Sequence, residues 1–321
     1  MAQISQYHKA EELVAGAQEI FGFHPGYRVL HADGRLYRGT FKGLPEAKIL
    51  TRAAHLQGEK VPASVRFSKG GGNPDAPFTA TVGMATRFYL PNGRTTNLVM
   101  LSQLLFPARN PDELLEAIAA AKPLEPHGPL NREGISKFMA SHPASARVLK
   151  LRADSPAPVS FAHSEFHAIH VFRYINESGA ITNARCHWLP QAGVKGRPAT
   201  ELAAEPKELL LDEFDHHLKS GPVRYDLVLE LAEPGDALDD VTQLWPDGRR
   251  RVAIGTLEIT ASVTLEELGD PEMNHDPTKL TDGIELNDDP IIEARRGVYE
   301  ASAAYRTGGW HACPFAKLYE K

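Results

Sequence analysis

The sequence predicts an α+β fold in which an antiparallel sheet of about eight strands closes into a barrel. Strand-like segments follow one another through short turns rich in Gly, Asn and Pro, as in antiparallel hairpins. Helical segments are gathered into insertions between groups of strands and do not alternate with single strands. About eight consecutive strands suffice to close a sheet on itself, and the mouth or face of such a barrel can hold a ligand.

In the first half of the chain, a helix is predicted near residues 8–19, before the first strands. A helical stretch is also predicted from Pro111 to about residue 152. The four β-like runs between them are YRVLHADGRLYRGTF (27–41), ASVRFSKG (63–70), TVGMATRFYLP (81–91) and TTNLVML (95–101).

In the second half, four more strands, a charged helix and a final helix are predicted. The strands are EFHAIHVFRYI (165–175), AITNARCHWL (180–189), VRYDLVLELA (223–232) and RVAIGTLEITASV (251–263). The charged helix covers 200–219, and the final helix covers 290–305, with an Asp N-cap and Pro at its first position. No boundary stands out, so we expect one domain over 1–321 with a barrel core at about 20–265.

Composition favours a small-molecule partner. The 321 residues are 42% hydrophobic and 24% charged, with a formal net charge of −6 and no Lys/Arg run longer than three residues, which argues against nucleic-acid binding. The two cysteines, Cys186 and Cys313, provide no disulfide framework, although a single disulfide stays possible. The N-terminal segment lacks the apolar core of a signal peptide, and no apolar window is long enough to span a membrane, so we expect a cytoplasmic protein.

The final helix carries a tyrosine between two arginines. Arg295 precedes Tyr299 by four residues and Arg306 follows it by seven. At about 3.6 residues per turn, these offsets bring the three side chains close to one helix face. A guanidinium one turn away favours the phenolate, which can ligate a ferric ion. The alternative is a core or interface tyrosine with solvated arginines.

A second cluster lies in the first two strands. Arg28 and His31 are close in GYRVLHADG, but strict strand alternation would send them to opposite faces, so a shared site requires a bulge or bend near HADG. Arg66 and Ser68 share one face of the next strand, where a hydroxyl could orient a histidine while a guanidinium binds an anion. The alternative is a structural histidine, a solvated arginine and a serine at the strand edge.

These motifs, in this order, resemble the haem catalases, and most closely the short catalase-related peroxidases. RVLHADG resembles the catalase distal-histidine motif, and VRFS resembles the strand after it. VGMATRFYLPNGRTTNLV, DDVTQLWPDGRRRVAIGTLEI and NHDPTKLTDGIELNDDP resemble later segments, so that the match runs from about residue 20 to 309. The resemblance implies a catalase-like barrel with haem b, without the long N-terminal arm and C-terminal helical domain of full catalases.

The resemblance also implies roles for individual residues. Tyr299 would be the axial ligand of the haem iron, held as phenolate by Arg295, with His170 and Asp289 in a chain behind it. His31 would be the distal acid and base, oriented by Ser68. The propionate-binding residues would be Arg28, Arg66 and Arg306, and the apolar walls would include Val29, Leu30 and Phe106.

One departure from the family pattern bears on activity. Where catalases have an asparagine in DLVGNNTP, this chain has Leu101, followed by Ser102 and Gln103. That asparagine helps to hold a second peroxide, so its loss predicts weak catalase activity. We therefore expect a haem peroxidase that reduces hydrogen peroxide or organic hydroperoxides with a small organic electron donor. Without the missing segments, a homodimer is expected in place of the interlocked tetramer.

Three alternatives stay open. The same haem site could rearrange fatty-acid hydroperoxides without a donor, which the apolar Leu101 would suit, or the barrel could bind haem without catalysis. A different kind of site is suggested by HSEFHAIH, where His163, Glu165 and His167 have equal parity on a predicted strand and could bind zinc. A polar strand face explains that pattern as well.

Overall fold

The computed structural model of the chain describes residues 2–125, 128–270 and 272–308. The helices in these ranges are α1 (Ala2–Phe21), α2 (Ala47–Leu50), α3 (Pro111–Ala121), α4 (Arg132–Ser141), α5 (Pro143–Asp154), α6 (Ala199–Ala203), α7 (Leu209–Leu218), α8 (Leu265–Leu268) and α9 (Pro290–Gly308). The strands are β1 (Gly34–Gly43), β2 (Lys60–Lys69), β3 (Val82–Tyr89), β4 (Thr95–Leu101), β5 (Ala157–Pro158), β6 (Phe166–His167), β7 (Phe172–Ile175), β8 (Ile181–Pro190), β9 (Gly196–Arg197), β10 (Val223–Leu231), β11 (Arg251–Val263) and β12 (Ile284–Leu286).

Eight of these strands close into an antiparallel barrel, which confirms the predicted fold class. The order is β10-β11-β1-β2-β3-β4-β6-β8, and pairing of β8 with β10 closes the ring. β7 and β12 continue the sheet from β8, while β5 and β9 form a separate two-stranded sheet. The link between β4 and β6 is narrow, because one pair, Leu101 with His167, forms it.

Aromatic side chains fill the barrel interior. The fully buried rings include Tyr37, Phe41, Phe67, Phe88, Phe166, Trp188 and Tyr225. Phe67 stacks on Phe161 with ring centroids 4.6 Å apart, and Phe41 meets Phe88 edge to face at 4.9 Å. Because side chains pack the interior, a large ligand has to bind on the outside of the barrel.

The predicted strand at 27–41 begins too early. Residues 27–33 form bends and irregular backbone, and the regular strand starts only at Gly34. His31 has φ 54°, in the left-handed region that a continuous strand does not contain. This is the bend that a shared site for Arg28 and His31 requires.

Three other predicted elements are interrupted. The strand expected at 165–175 splits into β6 and β7, separated by an irregular segment. The helix expected at 200–219 splits into α6 and α7 around Pro206, and the stretch expected from Pro111 to 152 forms three helices, the last starting at Pro143. A proline inside a helix removes a backbone donor and clashes with the preceding turn.

Helix α1 packs across α9 and closes one side of the molecule. Val14 and Ala17 of α1 join Ala301 of α9 and Val29, which precedes β1, in a small buried cluster. At Gly297 of α9, an added Cβ would lie 2.8 Å from the Cβ of Ala10, so the two helices approach closely here. The helices thus form a wall that faces the outside of the barrel.

The structure bears on the cysteines and on membrane-spanning helices. Cys186 is buried in the core, and Cys313 lies outside the described residues. Within the described ranges, no helix combines the length and apolar character that crossing a membrane requires.

Candidate cofactor site

A cavity of about 360 Å³ lies between the outer face of β2–β4 and the helices α1, α3 and α9. On the strand side, register aligns Ser68 with Gly83 and Leu101, and Arg66 with Ala85. These residues lie on the opposite face from Phe67, which is in the core. The cavity volume is in the range of cofactor and ligand pockets.

The turn at His31 brings Arg28 and His31 to the same cavity. Arg66 stabilises this turn, because its Nη1 donates to the carbonyl of His31 at 3.0 Å and its Nη2 to that of Ala32 at 3.1 Å. A left-handed conformation is costly for a non-glycine residue, so it requires such contacts. Arg66 therefore shapes the site as well as lining it.

His31 and Ser68 form the pair that the sequence suggested. His31 Nδ1 lies 3.1 Å from Ser68 Oγ. Burial and the neighbouring Arg66 guanidinium lower the pKa of His31 to about 3, against an ordinary value of 6.5. The imidazole is therefore neutral at physiological pH and can accept a proton through Nε2.

The neutral state of His31 predicts how the peroxide reaction depends on pH. Because a lowered pKa keeps His31 neutral, kcat/KM for hydrogen peroxide is expected to stay level between about pH 8 and pH 4 and to fall only as pH drops further. Initial rates across this range, in buffers where circular dichroism shows the folded protein, measure it. An acid limb with its midpoint near 6.5 would contradict the prediction.

Gly83 is a site residue that sequence reasoning missed. A Cβ at this position would lie 2.9 Å from both His31 Nδ1 and Ser68 Oγ, so only glycine leaves room for the pair. No local signal identifies Gly83, because the constraint comes from a neighbouring strand and a distant turn.

Gly83→Ala is therefore expected to displace His31 and lower kcat/KM for hydrogen peroxide by about 100-fold, since small misplacements of a catalytic group have large effects. The measurement is turnover per bound haem, with circular dichroism as the check on folding. Wild-type turnover in this variant would show that the close approach is unimportant.

On the other side of the cavity, a chain of contacts leads away from Tyr299. Arg295 Nη2 donates to Tyr299 Oη at 3.0 Å, and its Nη1 lies 2.8 Å from His170 Nε2. Because a guanidinium only donates, His170 Nε2 accepts, and the ring proton is on Nδ1. That proton is donated to Asp289 Oδ2 at 2.5 Å.

Asp289 makes two contacts, one as a helix cap and one with His170. Its Oδ1 accepts from the backbone N–H of Ile291 at 2.8 Å as the N-cap of α9, while Oδ2 accepts from His170. Both His170 and Asp289 are almost completely buried. Burial lowers the pKa of His170 despite the opposing hydrogen bond to Asp289, which agrees with a neutral ring that accepts from Arg295.

Arginine is abundant in the cavity lining, which contains no Asp or Glu among the described residues. Arg28 Nη2 donates to the carbonyl of Met273 at 2.6 Å, and Arg306 donates to that of Glu272. Burial, together with the charges of Arg66 and Arg306, lowers the pKa of Arg28 well below its ordinary value. An anionic ligand would relieve this mutual repulsion.

His275, which sequence reasoning did not select, lies beside these arginines. It is 2% exposed, and neither ring nitrogen has a hydrogen-bond partner within the described ranges, nor does the buried Nε of Arg306. Buried polar atoms without partners are rare and indicate a missing partner. A carboxylate of a large ligand could accept from the Nε of Arg306 and from whichever His275 nitrogen carries the proton. The lining therefore fits haem, because it combines anion-binding groups, apolar walls and a phenol that a guanidinium contacts.

The predicted apolar walls are present, and the cavity has Leu101 at the position where catalases have the distal asparagine. Val29, Leu30 and Phe106 line the cavity, with Leu30 at its rim, 44% exposed. Leu101 also lines it, whereas Gln103 lines a separate cavity. The lining contains one amide among the described residues, that of Asn274, and its Nδ2 donates to the carbonyl of Tyr299 at 3.4 Å.

The zinc hypothesis is wrong for the part of the chain that the structure covers. His163 Nδ1 donates to the carbonyl of Gly193 at 2.8 Å, and His167 Nδ1 lies 2.9 Å from His187 Nδ1. No group of three or more His, Cys, Asp or Glu side chains among the described residues is placed to hold a metal ion.

The family model described as Catalase matches residues 25–314. A catalase-related peroxidase of Synechococcus elongatus is 33% identical over 93% of this chain and 89% of its own length. One from Mycolicibacterium paratuberculosis is 36% identical, over 89% and 91%.

Solved structures support the fold. A bacterial catalase superposes with a TM-score of 0.77 at 22% identity, and catalase A of Saccharomyces cerevisiae with 0.76 at 20%. The match covers 87% and 90% of this chain, but only 57% and 64% of those chains. At such identities the likeness shows the barrel architecture alone.

Proposed function

Because the chain belongs to the catalase family, we propose that it is a haem b peroxidase that reduces hydrogen peroxide or organic hydroperoxides with a small organic electron donor. Family membership makes it a peroxide-acting oxidoreductase and implies haem. The observation that supports the finer proposal is the placement of the His31–Ser68 pair and the Tyr299–Arg295 pair on one cavity.

The residues that would hold haem follow from their contacts. Tyr299 would ligate the haem iron, and Arg295, which can only donate, would hold its Oη in place through the contact at 3.0 Å. The carboxylates would be bound by Arg28, Arg66, Arg306 and His275. When bound, haem would supply the two electrons that reduction of the peroxide O–O bond requires, and the organic donor would restore them.

On the distal side, His31 performs the proton transfer. Its neutral Nε2 would accept the proton of the hydroperoxide and return it to the leaving oxygen, so that water or an alcohol departs. Ser68 fixes the ring by its contact with Nδ1. A barrel that only carries haem has no need of this pair.

Leu101 provides the test of peroxidase against catalase chemistry. Leu101→Asn places an amide in the distal wall, and we expect it to raise oxygen release from hydrogen peroxide by about tenfold, the effect of one added hydrogen bond. An oxygen electrode measures the release, and donor oxidation is followed in parallel. Leu101→Met, which keeps an apolar side chain, is the matched control, and equal oxygen release from both variants would contradict the assignment.

A second candidate function is supported by the apolar distal wall. Val99, Leu101 and Phe106 line the cavity, and such a wall suits rearrangement of a fatty-acid hydroperoxide without a donor. Product analysis separates the two: a peroxidase yields the alcohol and oxidised donor, whereas a rearranging enzyme yields an isomer or cleavage products.

The proposal includes a homodimer, for which sedimentation is the measurement.

A further inference from the structure

Arg152 is a cavity residue that the proposed haem site does not use. It lies on α5 and lines the cavity. Its Nε is buried without a hydrogen-bond partner, and within the described ranges the structure shows no ion pair or hydrogen bond for its guanidinium. The acid nearest along the helix, Asp154, pairs with Lys150 at 2.8 Å.

Arg152 stands apart from the three arginines assigned to the carboxylates of haem. Burial is the main cause that lowers the pKa of Arg28, Arg66 and Arg152, but the charges of other arginines add to it only at Arg28 and Arg66. Arg152 is thus a cation electrostatically separate from the arginines assigned to haem.

Arg152 is partly buried, and a cation withdrawn from water without a partner is unfavourable. None of the cavity-lining residues that the structure describes is an Asp or Glu that could neutralise it. A ligand with an anionic group would supply the partner. The planar fork of a guanidinium matches a carboxylate through two parallel hydrogen bonds. The cavity lining is mostly apolar, which favours an organic acid over an inorganic anion that would leave this surface uncovered.

We propose that Arg152 binds the carboxylate of an amphipathic organic hydroperoxide, whose apolar body lies along the wall formed by α1 and α3. This inference rests on the proposed function and names the substrate class for the same site. The α1 side of the wall is apolar, with Leu13, Val14 and Ile20 lining the cavity. Arg152 would set the orientation of the substrate, while His31 acts on its peroxide group.

The kinetic test compares a fatty-acid hydroperoxide with its methyl ester on the haem-loaded protein. Wild type is expected to prefer the acid by about 10- to 100-fold in kcat/KM, mainly through KM, which is the effect of charge-assisted hydrogen bonds. Arg152→Leu should lose the preference, and Arg152→Lys should keep part of it. Arg147→Leu is the matched control, because this guanidinium lies on the same helix but donates to the carbonyl of Thr242, and it should keep the wild-type preference.

A wild-type enzyme without preference for the acid, or an Arg152→Leu variant that retains it, would overturn the proposal. A binding measurement separates this failure from failure of the proposed function. Calorimetric titration with decanoate and with methyl decanoate needs no turnover. If decanoate binds more tightly to wild type than to Arg152→Leu, the carboxylate site is supported, even in a protein that does not turn over peroxide. If decanoate binds equally to both, the carboxylate site is refuted, even in a protein that does turn over peroxide.

Discussion

His31→Ala is expected to lower kcat/KM for hydrogen peroxide by about 100- to 10,000-fold, the range for loss of a general acid and base. The reason is structural, because the imidazole is neutral, contacts Ser68 through Nδ1 and lines the cavity in which peroxide would react. Haem content should stay close to wild type, because the residues assigned to haem carboxylates and ligation are unchanged. Stopped-flow mixing with peroxide, normalised to bound haem, gives the rate.

His163→Ala is the matched control for this experiment. That histidine lines the separate cavity and donates to the carbonyl of Gly193, so its removal should leave the peroxide rate unchanged. Equal losses in the two variants would mean that removing a histidine perturbs the fold, and an unchanged rate in His31→Ala would exclude the assigned role.

Tyr299→Phe is expected to abolish peroxide turnover, through loss of haem ligation. The substitution removes only Oη, which accepts from Arg295 at 3.0 Å, and leaves the ring in place. Arg295 then loses an acceptor, and the cavity loses the one phenol in the part of its lining that the structure describes. Haem content after purification and the optical spectrum after haem addition are the measurements.

Tyr305→Phe removes the same atom from the same helix and serves as the control. Tyr305 packs against the cluster of α1 and α9, so this variant should bind haem like wild type. Haem bound with an unaltered spectrum in Tyr299→Phe would contradict the ligand assignment.

The regular parts of the fold could be predicted from the sequence because their signals are local. Alternation along β2 places Arg66 and Ser68 on one face, and the structure agrees. The helix with Tyr299 starts at Pro290, as its capping pattern indicates. The turn at His31 has no local sequence signal. A shared site for Arg28 and His31 requires a bend there, but Arg66 of the next strand stabilises the left-handed residue.

The remaining site residues depend on contacts between distant segments. His170 and Asp289 are 119 residues apart, and the resemblance to a family, not periodicity, brought them together. Gly83, His275 and Arg152 carry no local pattern, because their significance comes from close approach, missing partners and a shared cavity. Such properties appear only when the chain is folded.

The absorption spectrum of the wild-type protein, recorded after haem addition and again after hydrogen peroxide, tests the central claim most directly. We expect a Soret band of ferric high-spin, tyrosinate-ligated haem that shifts when peroxide is added, without vigorous oxygen release. A protein that shows no Soret band after haem is supplied would contradict the assignment of this cavity and return Tyr299 and its arginines to a structural role.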